Sequence, residues 1–143
     1  MIKSPANIAI FISLIIFFIS LTQVCIVYQY FEIVNYPSYL AFLVGWMHFW
    51  GGGFWEGCIW LANPLYFIGL FLLFKKNKRA VFPLICSSIL ALVFLSFENL
   101  TMTKSGRIAP IIELKSGYFL WLASILFITF SSIYLKVTEK KNA

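Results

Sequence analysis

Few side chains in this chain of 143 residues are equipped for chemistry. His48 is the single histidine, there is no aspartate, and Glu56 lies inside an apolar run. A histidine near a carboxylate can exchange a proton close to neutral pH. A glutamate drawn into a membrane becomes a proton or cation site, whereas at the interface it is simply hydrated. Asn63 stands before Pro64 in the same run. Proline has no N–H and its ring clashes with the carbonyl four residues back, here Trp60, so Pro64 should bend the helix and leave that carbonyl seeking a partner. Asn63 either lines a substrate path or bonds a neighbouring helix. Glu56, Asn63 and His48 are thus the candidate polar site. No metal-ligand cluster, phosphate loop, nucleophile elbow or Cys-x-x-Cys pair accompanies them, so neither an enzyme nor a cofactor is expected. Cys25 and Cys58 fall near one end of two apolar runs; they stay as thiols unless the helices touch in an oxidising compartment, where they would pair.

The elements that position these residues follow from composition. Hydrophobic residues make up 62% and charged residues 11%, with a mean hydropathy of +0.91. Soluble domains carry roughly 25% charged residues, so the chain reads as a polytopic membrane protein. A bilayer core about 30 Å thick requires about 20 apolar residues of helix. Segments 8–28, 54–74, 80–97 and 117–135 meet that demand, giving an all-α fold of four transmembrane helices in one membrane domain. The apolar run over 39–74 would extend about 54 Å as a single helix, too long for one crossing. Gly51, Gly52 and Gly53 should break it, leaving 40–50 as an interfacial or re-entrant piece.

Charge sets the orientation. The net charge is +6, and the basic residues sit at the ends of apolar runs, which favours lipid headgroups over nucleic acid. Lys3, then Lys75, Lys76, Lys78 and Arg79, then Lys136, Lys140 and Lys141 fall on one side of four spans. Both termini and the turn 75–79 are therefore expected in the cytoplasm, with that turn as topology anchor and headgroup contact. Segments 29–53 and 98–116 face out. The first is rich in aromatics, and Trp46, Trp50 and Trp55 suit the headgroup level. Small residues in the third and fourth spans, among them Ser87, Ser88, Ala123 and Ser124, permit close helix contact.

The segments Trp60-Leu61-Ala62-Asn63-Pro64 and Gly117-Tyr118-Phe119-Leu120-Trp121-Leu122-Ala123-Ser124 resemble those of small uncharacterised bacterial inner-membrane proteins with four helices. That resemblance implies a bacterial inner membrane and no particular activity. Gly53-Phe54-Trp55-Glu56-Gly57-Cys58 is similar to the G-L-W-x-x-C motif of claudin-like proteins, but the second outer cysteine of that pattern is absent. The leading expectation is a non-enzymatic membrane protein that acts by assembly, with other subunits or with itself. A channel or transporter lined by the second span, and a lipid- or quinone-binding protein using the aromatic segment, are the alternatives.

Overall fold

The computed structural model describes residues 4–141, so Lys3 lies outside the described residues. Helix α1 (Pro5–Leu21) opens on a proline at its first position, where the missing N–H is no loss. The expected span over 8–28 stops at Leu21, because the chain then enters strand β1 (Val24–Tyr30). Val24, Ile26 and Val27 are β-branched and Tyr28 and Tyr30 aromatic, residue types that favour a pleated strand. Phe31, with φ of 60°, makes the tight reversal into β2 (Glu32–Pro37).

The aromatic segment continues as α2 (Ser38–Val44), a 3-10 turn over Gly45–Met47 and the short α3 (His48–Gly51). Gly52 ends that helix at φ of 96°, a left-handed conformation open to glycine at little cost. Helices α4 (Phe54–Trp60) and α5 (Ala62–Phe74) follow, then α6 (Val81–Val93), β3 (Asn99–Thr101), β4 (Ile108–Leu114) and α7 (Ser116–Lys141).

The protein is mostly helical, but an all-α description is incomplete. Four antiparallel strands form a sheet in the order β2-β1-β4-β3. The segment expected to be a polar loop, 98–116, supplies two of them. The first half of β4 pairs with β3, from Thr101 opposite Ile108 to Asn99 opposite Pro110. Its second half pairs with β1, where Ile26 faces Leu114 and Val27 faces Glu113. Pro110, which signals a loop in the sequence, sits where β4 changes partner. Proline interrupts a ladder least at such a break.

Three helical stretches are long and apolar enough to cross a membrane: Phe54–Phe74, Lys78–Ser96 and Ser116–Lys141. Helix α1 is equally apolar but has 17 residues. It packs on α7, α7 on α6, α6 on α5 and α5 on α1, which closes a ring of four. Polar side chains tie the ring together. The Ser13 hydroxyl donates to the Ser124 carbonyl at 2.9 Å and so accepts from the Tyr66 hydroxyl at 2.7 Å. The Ser87 hydroxyl donates to the Ala62 carbonyl at 2.7 Å. Phe17 stacks on Tyr66, with ring centres 5.3 Å apart, and meets Phe42 and Phe67 edge-on.

Helices α5 and α6 meet tightly at Gly69, where a β-carbon would collide with Leu84 Cδ2. Replacing Gly69 by leucine should therefore overpack that contact and destabilise the fold by about 1–3 kcal/mol. Ile68→Val, on the neighbouring exposed position, should change little. Denaturant unfolding in mixed micelles measures both, and equal stability of the two variants would contradict this packing.

Candidate functional site

A chamber of about 260 Å³ lies between the sheet and the adjoining ends of the helices. The sheet contributes Cys25, Ile26, Tyr28, Tyr36 and Leu100; the helices contribute Ser20, Asn63, Trp60 and Trp121; the segment α2–α3 contributes Phe42 and His48. Backbone bonds extend the ladders of this sheet roof to the points where its strands run into the helices. Ser38 N donates to Gln23 O at 2.9 Å, and Lys115 N donates to Cys25 O at 2.8 Å. All three residues singled out as a polar site, Glu56, Asn63 and His48, line this one chamber.

Glu56 stands in the first turn of α4 and is 9% exposed. Its Oε1 accepts from Thr101 N at 2.6 Å, so the carboxylate bolts the β3 edge of the roof to the start of the helix. Helix N-termini favour negative charge, which suits this placement. The other oxygen, Oε2, lies 2.9 Å from where a β-carbon on Gly53 would sit, and His48 Nδ1 lies 3.0 Å from that same point. Glycine at 53 thus leaves room for carboxylate and imidazole to share one corner. Burial pushes the His48 imidazolium down from the ordinary histidine value, and the Glu56 carboxylate pulls partly against that. The imidazole is therefore neutral near neutral pH.

Asn63 resolves the difficulty that Pro64 creates. Its Nδ2 donates to the Trp60 carbonyl at 3.1 Å, the very group that proline leaves without a helical partner. Its Oδ1 accepts from Trp121 Nε1 at 2.9 Å, across the bundle on α7. The helix breaks at this point, between Trp60 and Ala62. Trp60 Nε1 in turn donates to the Phe42 carbonyl at 2.7 Å, which pins α2 against the helices.

The remaining candidates lie elsewhere or behave differently. Trp46, Trp50 and Trp55 are exposed; Trp46 and Trp50 meet edge-on at 5.5 Å on the surface, outside the chamber. Lys75, Lys76, Lys78 and Arg79 are exposed at the far end of the helices, with Lys75 Nζ 5.7 Å from the Phe71 ring centre. Cys25 and Cys58 are free thiols rather than a disulfide. Cys25 lies in a strand, not at a helix end, and its thiol donates to the Tyr36 carbonyl at 3.3 Å. Burial pushes its pKa up to about 11, while the neighbouring Ser38 hydroxyl acts weakly the other way. Such a thiol is unreactive near neutral pH.

Three lining residues escaped the sequence reading. Trp60 and Trp121 were legible as aromatics, but nothing local distinguishes them from the surface tryptophans. Ser38 is 6% exposed, and its hydroxyl has no hydrogen-bond partner of good geometry. Buried hydroxyls are rarely left so unless a ligand or water meets them.

Asn63→Ala strands both the Trp60 carbonyl and the Trp121 indole N–H and should cost about 1–3 kcal/mol. In a Pro64→Ala background the cost should shrink, because position 64 then offers the carbonyl a backbone N–H. Equilibrium unfolding of the four variants in the cycle measures this coupling, and an unchanged cost would contradict the bridging role. Compared with protein-family models, curated proteins and solved structures, the chain has no match.

Proposed function

We propose that this is a non-enzymatic, four-span protein of a bacterial inner membrane whose chamber binds a lipid-like molecule, mostly apolar with one polar head. Helix α1 is taken as the first span: 17 residues is at the lower limit of about 17–25 for crossing. Its outward face, with Phe11, Ile15 and Phe18 exposed, suits lipid tails. With α1 counted, the basic turn 75–79 and the end of α7 share one side, which the positive-inside rule makes cytoplasmic. The sheet and chamber then face outward, at the level of the outer headgroups.

The observation that carries this reading is the chamber itself. It is a half-open cavity with aromatic and aliphatic walls and with Glu56, His48, Asn63 and Ser38 as convergent polar groups. Apolar enclosure with a few placed polar groups is the usual form of a small-molecule site. Beyond it the core is filled: Tyr66, Leu84, Ile125 and Ile128 are each 0% exposed. A dead-ended chamber favours binding over conduction. Of the small residues that suggested assembly, Ala123 is exposed and free to meet a partner, whereas the serines work inside the chain. Ser87 and Ser124 are fully buried against neighbouring helices of the same ring. Membrane lipids are accordingly the first partners to test, ahead of other subunits or a second copy.

Extraction of the full chain in lipid nanodiscs taken directly from its own host membrane, followed by mass spectrometry of the organic extract, tests the reading. The expected result is one apolar species enriched over the bulk membrane. Ala41→Phe, which fills the chamber wall, should remove that enrichment while preserving helicity. An extract indistinguishable from bulk lipid would overturn the proposal.

A further inference from the structure

We propose that the head of the bound molecule is cationic, so that the chamber is a site for a lipophilic ammonium held by Glu56 and the surrounding rings. The inference rests on the binding reading above and narrows it to one ligand chemistry.

Charge carries the first part of the argument. Glu56 contributes a carboxylate to the chamber wall, and among the described residues no lysine or arginine lines it. Among the described residues the recorded ion pair is Lys115 with Glu113, on the exposed end of β4, so Glu56 has no side-chain counter-ion. A buried carboxylate without a partner is costly, and one backbone N–H from Thr101 answers only one of its oxygens. Oε2 remains at the corner it shares with His48, a neutral side chain near neutral pH. A fatty-acid or phosphate head would set like charges together here, with the His48 imidazole as the one basic group beside them.

Donor bookkeeping carries the second part. The indole N–H of Trp121 is engaged by Asn63, that of Trp60 by the Phe42 carbonyl, and the Tyr118 hydroxyl donates to the Ala91 carbonyl at 2.7 Å. With those three engaged, the His48 ring N–H and the Ser38 hydroxyl are the donors left among the polar groups named above. A head that only accepts hydrogen bonds, such as a quinone carbonyl, meets those two but leaves Glu56 Oε2 unanswered. A head that donates finds Glu56 Oε2 and the unpartnered Ser38 hydroxyl. The rings of Tyr28, Tyr36, Trp60, Phe94, Tyr118 and Trp121 surround the space, and aromatic faces attract a desolvated cation.

Three probes with one apolar body separate the possibilities: phenylbutylammonium, phenylbutanol and phenylpentanoate. Their affinities are measured by ligand-observed NMR on the full chain in phosphatidylcholine nanodiscs, with partitioning into empty nanodiscs subtracted. The ammonium should bind at least about tenfold tighter than the alcohol, and the carboxylate most weakly. Glu56→Gln should abolish the gap between ammonium and alcohol; if that variant fails to fold, the ranking on the unaltered chain decides alone. Equal binding of all three, or tightest binding of the carboxylate, would overturn the cationic head and leave the chamber reading standing. Binding of none of them to folded protein would overturn both.

Discussion

The structure depends on the pairing of β1 with β4. These strands belong to the two connections that join different helices at the same end of the bundle, one after α1 and the other before α7. Near a membrane, each connection must satisfy its backbone groups without leaving an open edge against lipid. Pairing them with each other achieves this and produces a roof. Because β1 continues directly from α1 and β4 runs directly into α7, the two helices are held side by side by the sheet as well as by their own contact. The chamber exists because that roof stands clear of the helix ends. Lys115 N to Cys25 O and Ser38 N to Gln23 O continue its β1–β4 and β1–β2 ladders toward the helices.

Within that frame, two polar devices shape the site. The Asn63 amide repairs the carbonyl that Pro64 leaves open and anchors α5 to α7 through Trp121. Glu56 fastens the β3 edge of the roof to α4 through the Thr101 amide. Each is a hydrogen bond in a low-dielectric setting, where loss of a partner costs more than the bond itself contributes. The same carboxylate that holds the roof also lines the chamber, so in the reading proposed above structure and ligand selection meet in one residue. Ligand in the chamber would touch both the roof and the helices, and its binding would stiffen their junction.

The parts legible in the sequence were those governed by length, charge and helix-breaking residues. The second, third and fourth apolar segments, the glycine break and the basic turn all follow from such rules. So did the grouping of Glu56, Asn63 and His48, because a polar residue in an apolar run must find a partner. The sheet did not follow. Cys25, Ile26, Val27 and Tyr28 are all buried in succession, and irregularities in both ladders, at Val24/Ile26 and Val27/Tyr28, break the alternation along β1. Such a strand shows no alternation and merges with the apolar helix before it. The surviving signal was the crowding of Val24, Ile26, Val27, Tyr28, Ile33, Val34 and Tyr36, β-branched and aromatic, where a helix favours straight chains. The roles of Trp60, Trp121 and Ser38 depend on which elements meet in space, and no local pattern encodes that.

The central claim, that the connections after α1 and before α7 fold into one sheet over the helices, is tested most directly by hydrogen–deuterium exchange of the chain in nanodiscs. Amides in 24–30 and 108–114 should exchange slowly, with protection approaching that of the helices, while those in 103–106 exchange fast. Rapid exchange throughout 24–30 and 108–114 would mean that these connections are loops, and the chamber would lose its roof.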